Sequence, residues 1–413
     1  MLQNALTVIL KLDANQAADA LKEFLTVIGQ DINGHRNNTH IDFDKFQTIH
    51  FMRWVMLPKD DPNQQRDDRY DYLLFTTNYD GDLAAHLKEF IDHAGDALDK
   101  IFGSCIGYPT HRTSDPTRFA KDFQRYLVQH SYEHETFYIA YRGEGVRDVK
   151  NYIAVRRKIQ NFVDLDAVQA FATAKLEPLL EKLPNRPEIM TPLKRVLGAL
   201  RVAVLIIIGL LDFLWNLVVV FAIRPIRRAL RRREQPLNLQ LNNTEPRTGI
   251  ADIEDVVTQN QMTIINHIKP GLHWVIYLKF VLLLIAMAHK YIFTKGDLSG
   301  IVTIHFARWV IIDRGRYLFF ESNYDGSWEN YIGEFVDKAN VGLNLVWRYS
   351  TPGFPNGGVE DIEGFKKIIR DNQFPTQVFY SAYPKATVRN ILNDRAISAG
   401  LEQGAVRDWL QRL

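Results

Sequence analysis

The chain has 413 residues, 46% of them hydrophobic and 24% charged, with a formal net charge of +2. That balance fits a globular protein of two or three domains and excludes attraction to nucleic acid through overall charge. A single cysteine, Cys105, excludes an internal disulfide framework and suits a reducing compartment.

"MLQNALTVILKLD" at the start has no basic n-region or small-residue cleavage site, so it reads as a strand and not as a secretory signal. An amphipathic helix over residues 14–32 follows, with Asp, Lys and Glu on its polar side. Next come "TIHFMRW" (Thr48–Trp54), the polar run "KDDPNQQRDD" (Lys59–Asp68) and "LLFTTNYDG" (Leu73–Gly81). A long helix containing "LKEFIDHA", the tripeptide "GYP" and the strand "ETFYIAY" complete this stretch.

About 255 positions later the same strings return in the same order. "TIHFARW" (Thr303–Trp309), "LFFESNYDG" (Leu318–Gly326), "IGEFVDKA", "GFP" and "FYSAY" answer them one by one. Each "FYxAY" is followed after four residues by Val-Arg, Val146-Arg147 and Val388-Arg389. Two copies make a tandem duplication and not a solenoid.

The second copy gives the clearer elements. "QNQMTIINHIKPG" reads as a strand stopped by Pro-Gly, then a long apolar helix covers Trp274–Phe293. Two β-rich runs joined by "RG" form a hairpin. A helix capped by Ser327 buries Trp328, Tyr331, Ile332, Phe335 and Val336 on one face. A further helix near Ile362–Arg370 precedes the last strand.

Strand, helix, strand, strand, helix, strand is the order of a ferredoxin-like βαββαβ unit. The expected fold is therefore α+β: two tandem ferredoxin-like repeats, residues 1–163 and 256–413, forming a pseudo-dimeric α/β barrel. Residues 164–255 would be a helical insert. The stretches "TIHFARWVIID", "SNYDGSWENYIGEF" and "TQVFYSAYPKATVRNI" resemble a bacterial family of the dimeric α/β-barrel superfamily, over most of the second half and more weakly the first. At the level of fold this is similar to the dye-decolorising haem peroxidases, whose distal GxxDG loop "NYDG" does not reproduce. What that likeness implies is a fold, with haem as the cofactor to test for.

Strand alternation places His50 with Trp54, and His305 with Trp309, on one face, and Arg53 and Arg308 on the other. Two readings of the histidines stay open: an acid–base group or axial ligand inside a barrel, or a hydrogen-bonded core residue. Arg53 and Arg308 are expected to pair with Asp80 and Asp325, since both copies keep both charges. In "NYDG", Asp80 and Asp325 suit turn hydrogen bonds, and Gly81 and Gly326 a positive φ. Tyr138 and Tyr380 are candidates for proton donation or a radical, or for rings with wetted hydroxyls. Arg147 and Arg389 bind an anion or are simply solvated. A catalytic site in a fused barrel needs its special groups once, so groups kept twice favour architecture or two equivalent sites.

The insert has no counterpart elsewhere. Within the apolar stretch 196–223, Val202–Ile223 holds 22 residues with one charge, Asp212, long enough to cross a bilayer core. Arg224, Arg227, Arg228, Arg231, Arg232 and Arg233 follow within residues 224–233, as a cytoplasmic flank on anionic headgroups would have them. Leu210, Leu211 and Trp215 are the apolar contacts. A buried interdomain helix is the bland alternative. One full crossing would separate the halves, so the expected topology is monotopic, or a hairpin with Trp274–Phe293; a spanning, integral protein is the alternative. The expected function is a membrane-associated, peroxidase-type oxidoreductase with a small apolar substrate. The alternative is a non-catalytic membrane-surface module that binds a lipid or apolar ligand.

Overall fold

The computed structural model describes residues 2–13, 18–34, 38–58, 70–162, 207–231, 236–239, 241, 250, 254–255, 257–292, 298 and 300–402. The polar run at Lys59–Asp68, the amphipathic stretch 164–183, residues 196–206 and most of the 234–249 linker lie outside them.

The first half runs β1 (Gln3–Lys11), α1 (Ala18–Gly34), β2 (Ile49–Pro58), β3 (Tyr70–Asp80), α2 (Leu83–Phe102), α3 (Pro116–Gln129), β4 (Thr136–Ile139) and α4 (Val146–Phe162). Helix α5 covers Ile207–Ala229. The second half repeats the order: β5 (Gln259–His267), α6 (Leu272–Tyr291), β6 (Ile304–Ile312), β7 (Tyr317–Asp325), α7 (Trp328–Leu343), α8 (Ile362–Asp371), β8 (Val378–Ser381) and α9 (Val388–Glu402). By internal contacts the chain divides into two compact units, residues 1–148 with 225–390, and residues 149–224 with 391–413. Both sheets belong to the first unit.

The fold is mixed α+β with two four-stranded antiparallel sheets, ordered β1-β3-β2-β8 and β4-β6-β7-β5. The last strand of each half is thus exchanged. β8 pairs with β2 from Phe51↔Ser381 to Trp54↔Val378, and β4 pairs with β6 from Thr136↔Trp309 to Ile139↔Phe306. A ferredoxin-like unit would return its last strand to its own sheet; here that strand completes the other one. Among the described residues, the sheets' outer edges are joined by the single bridges Val8↔Ser131 and Ile264↔Gln373.

The sheets pack face to face through Ile9, Val55, Leu74, Ile265, Val310 and Phe319, which form one apolar cluster. On the opposite side of the first sheet, Trp54, Phe75 and Tyr79 pack under α1, α2 and α3 through Leu25, Phe90 and Phe123. Helix α1 also runs along β8. A Cβ at Gly29 would come within 2.0 Å of the Gln377 carbonyl oxygen, so only glycine lets the helix approach this closely. The expected local signals are present. Ser327 accepts from the Asn330 amide at 3.3 Å, and the β6–β7 turn is Asp313–Gly315 with positive φ at all three residues.

Candidate functional site

β2 and β6 each carry a bulge at the histidine. Ile49 faces Tyr79 and Phe51 faces Asn78, leaving His50 as the extra residue; Ile304, Phe306 and His305 do the same against Tyr324 and Asn323. The carbonyl of His50 accepts from the Ala382 amide, and that of His305 from the Ala140 amide, each at 2.9 Å. A bulge changes the parity of the strand. It turns His50 and Phe51 to the same side, toward the other sheet, while Trp54 faces the helices. The expected sharing of a face by His50 and Trp54, and by His305 and Trp309, is therefore corrected. The rings of His50 and Phe306 lie 5.1 Å apart, and those of His305 and Phe51 5.4 Å.

The aspartates of the two "NYDG" turns complete the histidines. His50 Nε2 lies 2.9 Å from Asp80 Oδ1, and His305 Nε2 lies 2.7 Å from Asp325 Oδ1. Gly81 and Gly326 take φ of 81° and 79°, which turns the chain into α2 and α7 and leaves each aspartate aimed inward. The outer carboxylate oxygens accept from the first helical amides of α4 and α9, Val146 and Val388, both at 2.7 Å. This explains the repeated Val-Arg: the valine amide caps the aspartate from a helix N-terminus. Arg147 and Arg389 are exposed.

Tyr141 and Tyr383 join the two histidine–aspartate pairs. Tyr383 Oη lies 2.7 Å from His50 Nδ1, Tyr141 Oη lies 3.0 Å from His305 Nδ1, and the two hydroxyls are 2.7 Å apart. Burial holds both well above their ordinary range; Tyr383 adds to the rise at Tyr141, whereas at Tyr383 the bond to Tyr141 opposes it and Asp80 adds to it. Gln3 and Gln259 fix the loops that carry them, donating to the Tyr141 and Tyr383 carbonyls at 3.3 and 3.1 Å. Sequence reasoning singled out Tyr138 and Tyr380 instead. Tyr380 faces the helices, stacks on Phe43 and donates to its carbonyl at 3.2 Å, and Tyr138 packs against His289. The last tyrosine of each "FYxAY" was the available signal, present in both copies like the histidine and the aspartate.

Arg53 and Arg308 do not reach Asp80 or Asp325, because the histidines already occupy those carboxylates. Each arginine crosses to the opposite sheet. Arg53 donates to Gln261, the Met262 carbonyl, Thr263 and the Ser322 carbonyl at 2.9–3.2 Å, and to Asn323. Arg308 donates to the Leu6 carbonyl, Thr7 and Glu321. Burial pulls the Arg53 guanidinium down to about 10, with Glu321 opposing and Arg308 adding to the fall. Burial also works against the Glu321 charge, but Arg308 and Arg53 outweigh it and leave the carboxyl below its ordinary value.

A haem axial ligand needs a free imidazole nitrogen facing a cavity. His50 and His305 have no exposed surface, and both nitrogens of each ring are engaged. Iron would have to displace a tyrosine or an aspartate, so these residues do not fit the haem expected from the sequence. Among the described residues, no cluster of three or more His, Cys, Asp or Glu is placed to hold a metal ion.

The membrane-contact candidates divide. Leu210, Leu211 and Trp215 are exposed on α5. Arg227 pairs with Glu133 and Arg228 with Glu135, both at 3.2 Å, so these two are tied to the body and are not left for headgroups alone. Arg224 is half-buried, and the side chains of Arg231, Arg232 and Arg233 lie outside the described residues. Two helices, α5 and α6, are long and apolar enough to cross a membrane. α6 carries a row of exposed apolar side chains, Leu272, Ile276, Phe280 and Leu284, four residues apart. Its inner face buries Leu278, Val281 and Leu282, and the Leu282 carbonyl accepts from Thr136 of β4 at 2.6 Å. No family model, characterised protein or solved structure matches the chain.

Proposed function

We propose that this is a membrane-surface module, resting on the bilayer through the outer face of α6, that binds lipid or an apolar ligand and is not a haem-type oxidoreductase. The observation that carries this reading is the contrast between equivalent helices. α1 presents Asp19, Lys22, Glu23, Thr26 and Gln30 outward, whereas α6 presents Leu272, Ile276, Phe280 and Leu284. Since both helices cover the same strand arrangement, folding alone does not call for an oily outer face on one of them.

Because the inner face of α6 is committed to β4, lipid meets only its outer face. That favours a helix in the interfacial plane over one that spans. Trp274 and Tyr277 near its start suit the headgroup level. Lys269 lies 5.1 Å over the Trp274 ring, and the Tyr277 ring meets Tyr349. The run of arginines after residue 223 in the sequence supports reading the attached side as the cytoplasmic face. The exchanged strands support reading the halves as a fused pseudo-dimer of the α/β-barrel type.

Membrane fractionation tests the proposal. The full chain is expected in the pellet, resistant to high salt and released by detergent, with terminal tags on the same side of the membrane. An Ile276→Glu/Phe280→Glu variant should shift toward the soluble fraction and keep its melting temperature, since both side chains are exposed. A full chain that stays soluble without detergent would overturn the reading.

A further inference from the structure

From Asp80 to Asp325 the buried groups form one unbroken chain: Asp80, His50, Tyr383, Tyr141, His305, Asp325. It contains five hydrogen bonds, with heavy-atom distances of 2.9, 2.7, 2.7, 3.0 and 2.7 Å in that order. Each bond needs one proton between its two heavy atoms. Two ionised carboxylates bring none. Two neutral imidazoles and two phenols bring four, one short of the number of bonds. We propose that the chain binds a fifth proton, held jointly by His50 and His305, so that one of the two rings is an imidazolium at neutral pH.

The direction of the bonds shows how the proton is shared. With His305 charged, its Nδ1 donates to Tyr141, Tyr141 donates to Tyr383, and Tyr383 donates to His50 Nδ1. Moving each of these three protons across its own bond makes His305 neutral and His50 charged. No atom enters or leaves, and the two arrangements are related by the duplication. The charge therefore passes between halves through the phenol hydroxyls alone.

Two further observations support the count. Each aspartate's outer oxygen accepts a helix N-terminal amide and so carries no proton of its own, which leaves the fifth proton to the bonds of the chain. The five buried charges that the two motifs and their arginines contribute balance with it. Arg53, Arg308 and Glu321 sum to one positive charge, and Asp80 with Asp325 to two negative ones. One more proton brings the sum to zero, as burial demands. On the His50 side, Asp148 also faces this end: its Oδ2 accepts from the Gly145 amide at 2.8 Å, and a Cβ at Gly145 would touch both Asp80 and Asp148. On the His305 side the equivalent turn is held by Thr387, which accepts from the Asn390 amide.

The full chain, labelled with ¹⁵N-histidine and held in detergent, gives a direct readout from imidazole nitrogen shifts at neutral pH. Signals are assigned with His50→Gln and His305→Gln. One imidazolium equivalent is expected, summed over His50 and His305. Tyr141→Phe should remove it, because the two fragments left, Asp80–His50–Tyr383 and His305–Asp325, have as many protons as bonds with both rings neutral. Tyr383→Phe, the mirror change, should act in the same way and guards against one variant failing to fold. Two neutral rings in the unsubstituted protein, or an imidazolium signal unchanged in both phenylalanine variants, would overturn the proposal.

Discussion

Arg308 and Glu321 stand directly opposite one another on β6 and β7, with 2.6 Å between Nη2 and Oε1. Opposite Arg53 the first half has Thr76. One carboxylate therefore serves two buried guanidiniums, the second with its Nε 3.8 Å away. Glu321→Gln would leave both cations without a counter-charge. The expected cost is about 3–5 kcal/mol of stability, the range for breaking a buried ion pair. Chemical unfolding at neutral pH measures it, and a loss under about 1 kcal/mol would show that the neutral acceptors around Arg53 suffice.

The same asymmetry predicts how the halves behave apart. A self-associated second half, residues 257–402, could exchange its own β8 and would bring two Arg308 together with two Glu321. A self-associated first half would bury two Arg53 beside two Thr76, with each Asp80 already taken by its His50 and no counterpart of Glu321. In detergent the second half should run as a dimer and the first should fail to form one. Light scattering on each fragment decides it, and equal behaviour would argue against charge as the discriminator.

His86 gives a pH prediction. It lies under Tyr79 at 4.1 Å between ring centroids, where Tyr331 lies under Tyr324 in the second half. Burial pulls its pKa down from 6.5 to about 3. Between those values the unfolded chain binds a proton that the folded chain refuses, so stability falls as the pH drops below 6.5. The slope should be about 1 kcal/mol per pH unit for this group. His86→Tyr, which copies the second half, should flatten the acid limb of a urea-midpoint profile by that amount.

Gly29→Ala tests the contact of α1 with β8. Its Cβ would meet the Gln377 backbone oxygen, which cannot swing away as a side chain does. About 1–3 kcal/mol should be lost, against the small gain that alanine brings to an open helix. A thermal melt that rises instead would mean that the helix shifts freely on the strand.

Local chemistry was legible in the sequence. The Ser327 cap, the Asp313–Gly315 turn and the glycines of both "NYDG" turns depend on neighbours a few residues away, and all appear as expected. Duplication was also legible, and it pointed at His50, His305, Asp80 and Asp325. What failed was whatever depends on a distant partner. Counting alternation along β2 cannot reveal an extra residue, because the bulge at His50 is defined only against β3. Matching the arginines to Asp80 and Asp325 overlooked Glu321, which has no acidic counterpart in the first copy. Nor does a four-residue strand such as "TFYI" or "VFYS" record in its own letters which sheet it will join.

The exchange of β4 and β8 has a consequence for biosynthesis. The edge of β2 is filled by residues 378–381, more than 320 positions further along the chain, so the first sheet waits until translation has passed Ser381. Until then the nascent amino-terminal domain exposes an unpaired strand edge, a recruiting surface for chaperones or for another chain caught at the same stage. Premature termination before Val378 would cost more than the residues beyond it: it would strand the half that had already been made.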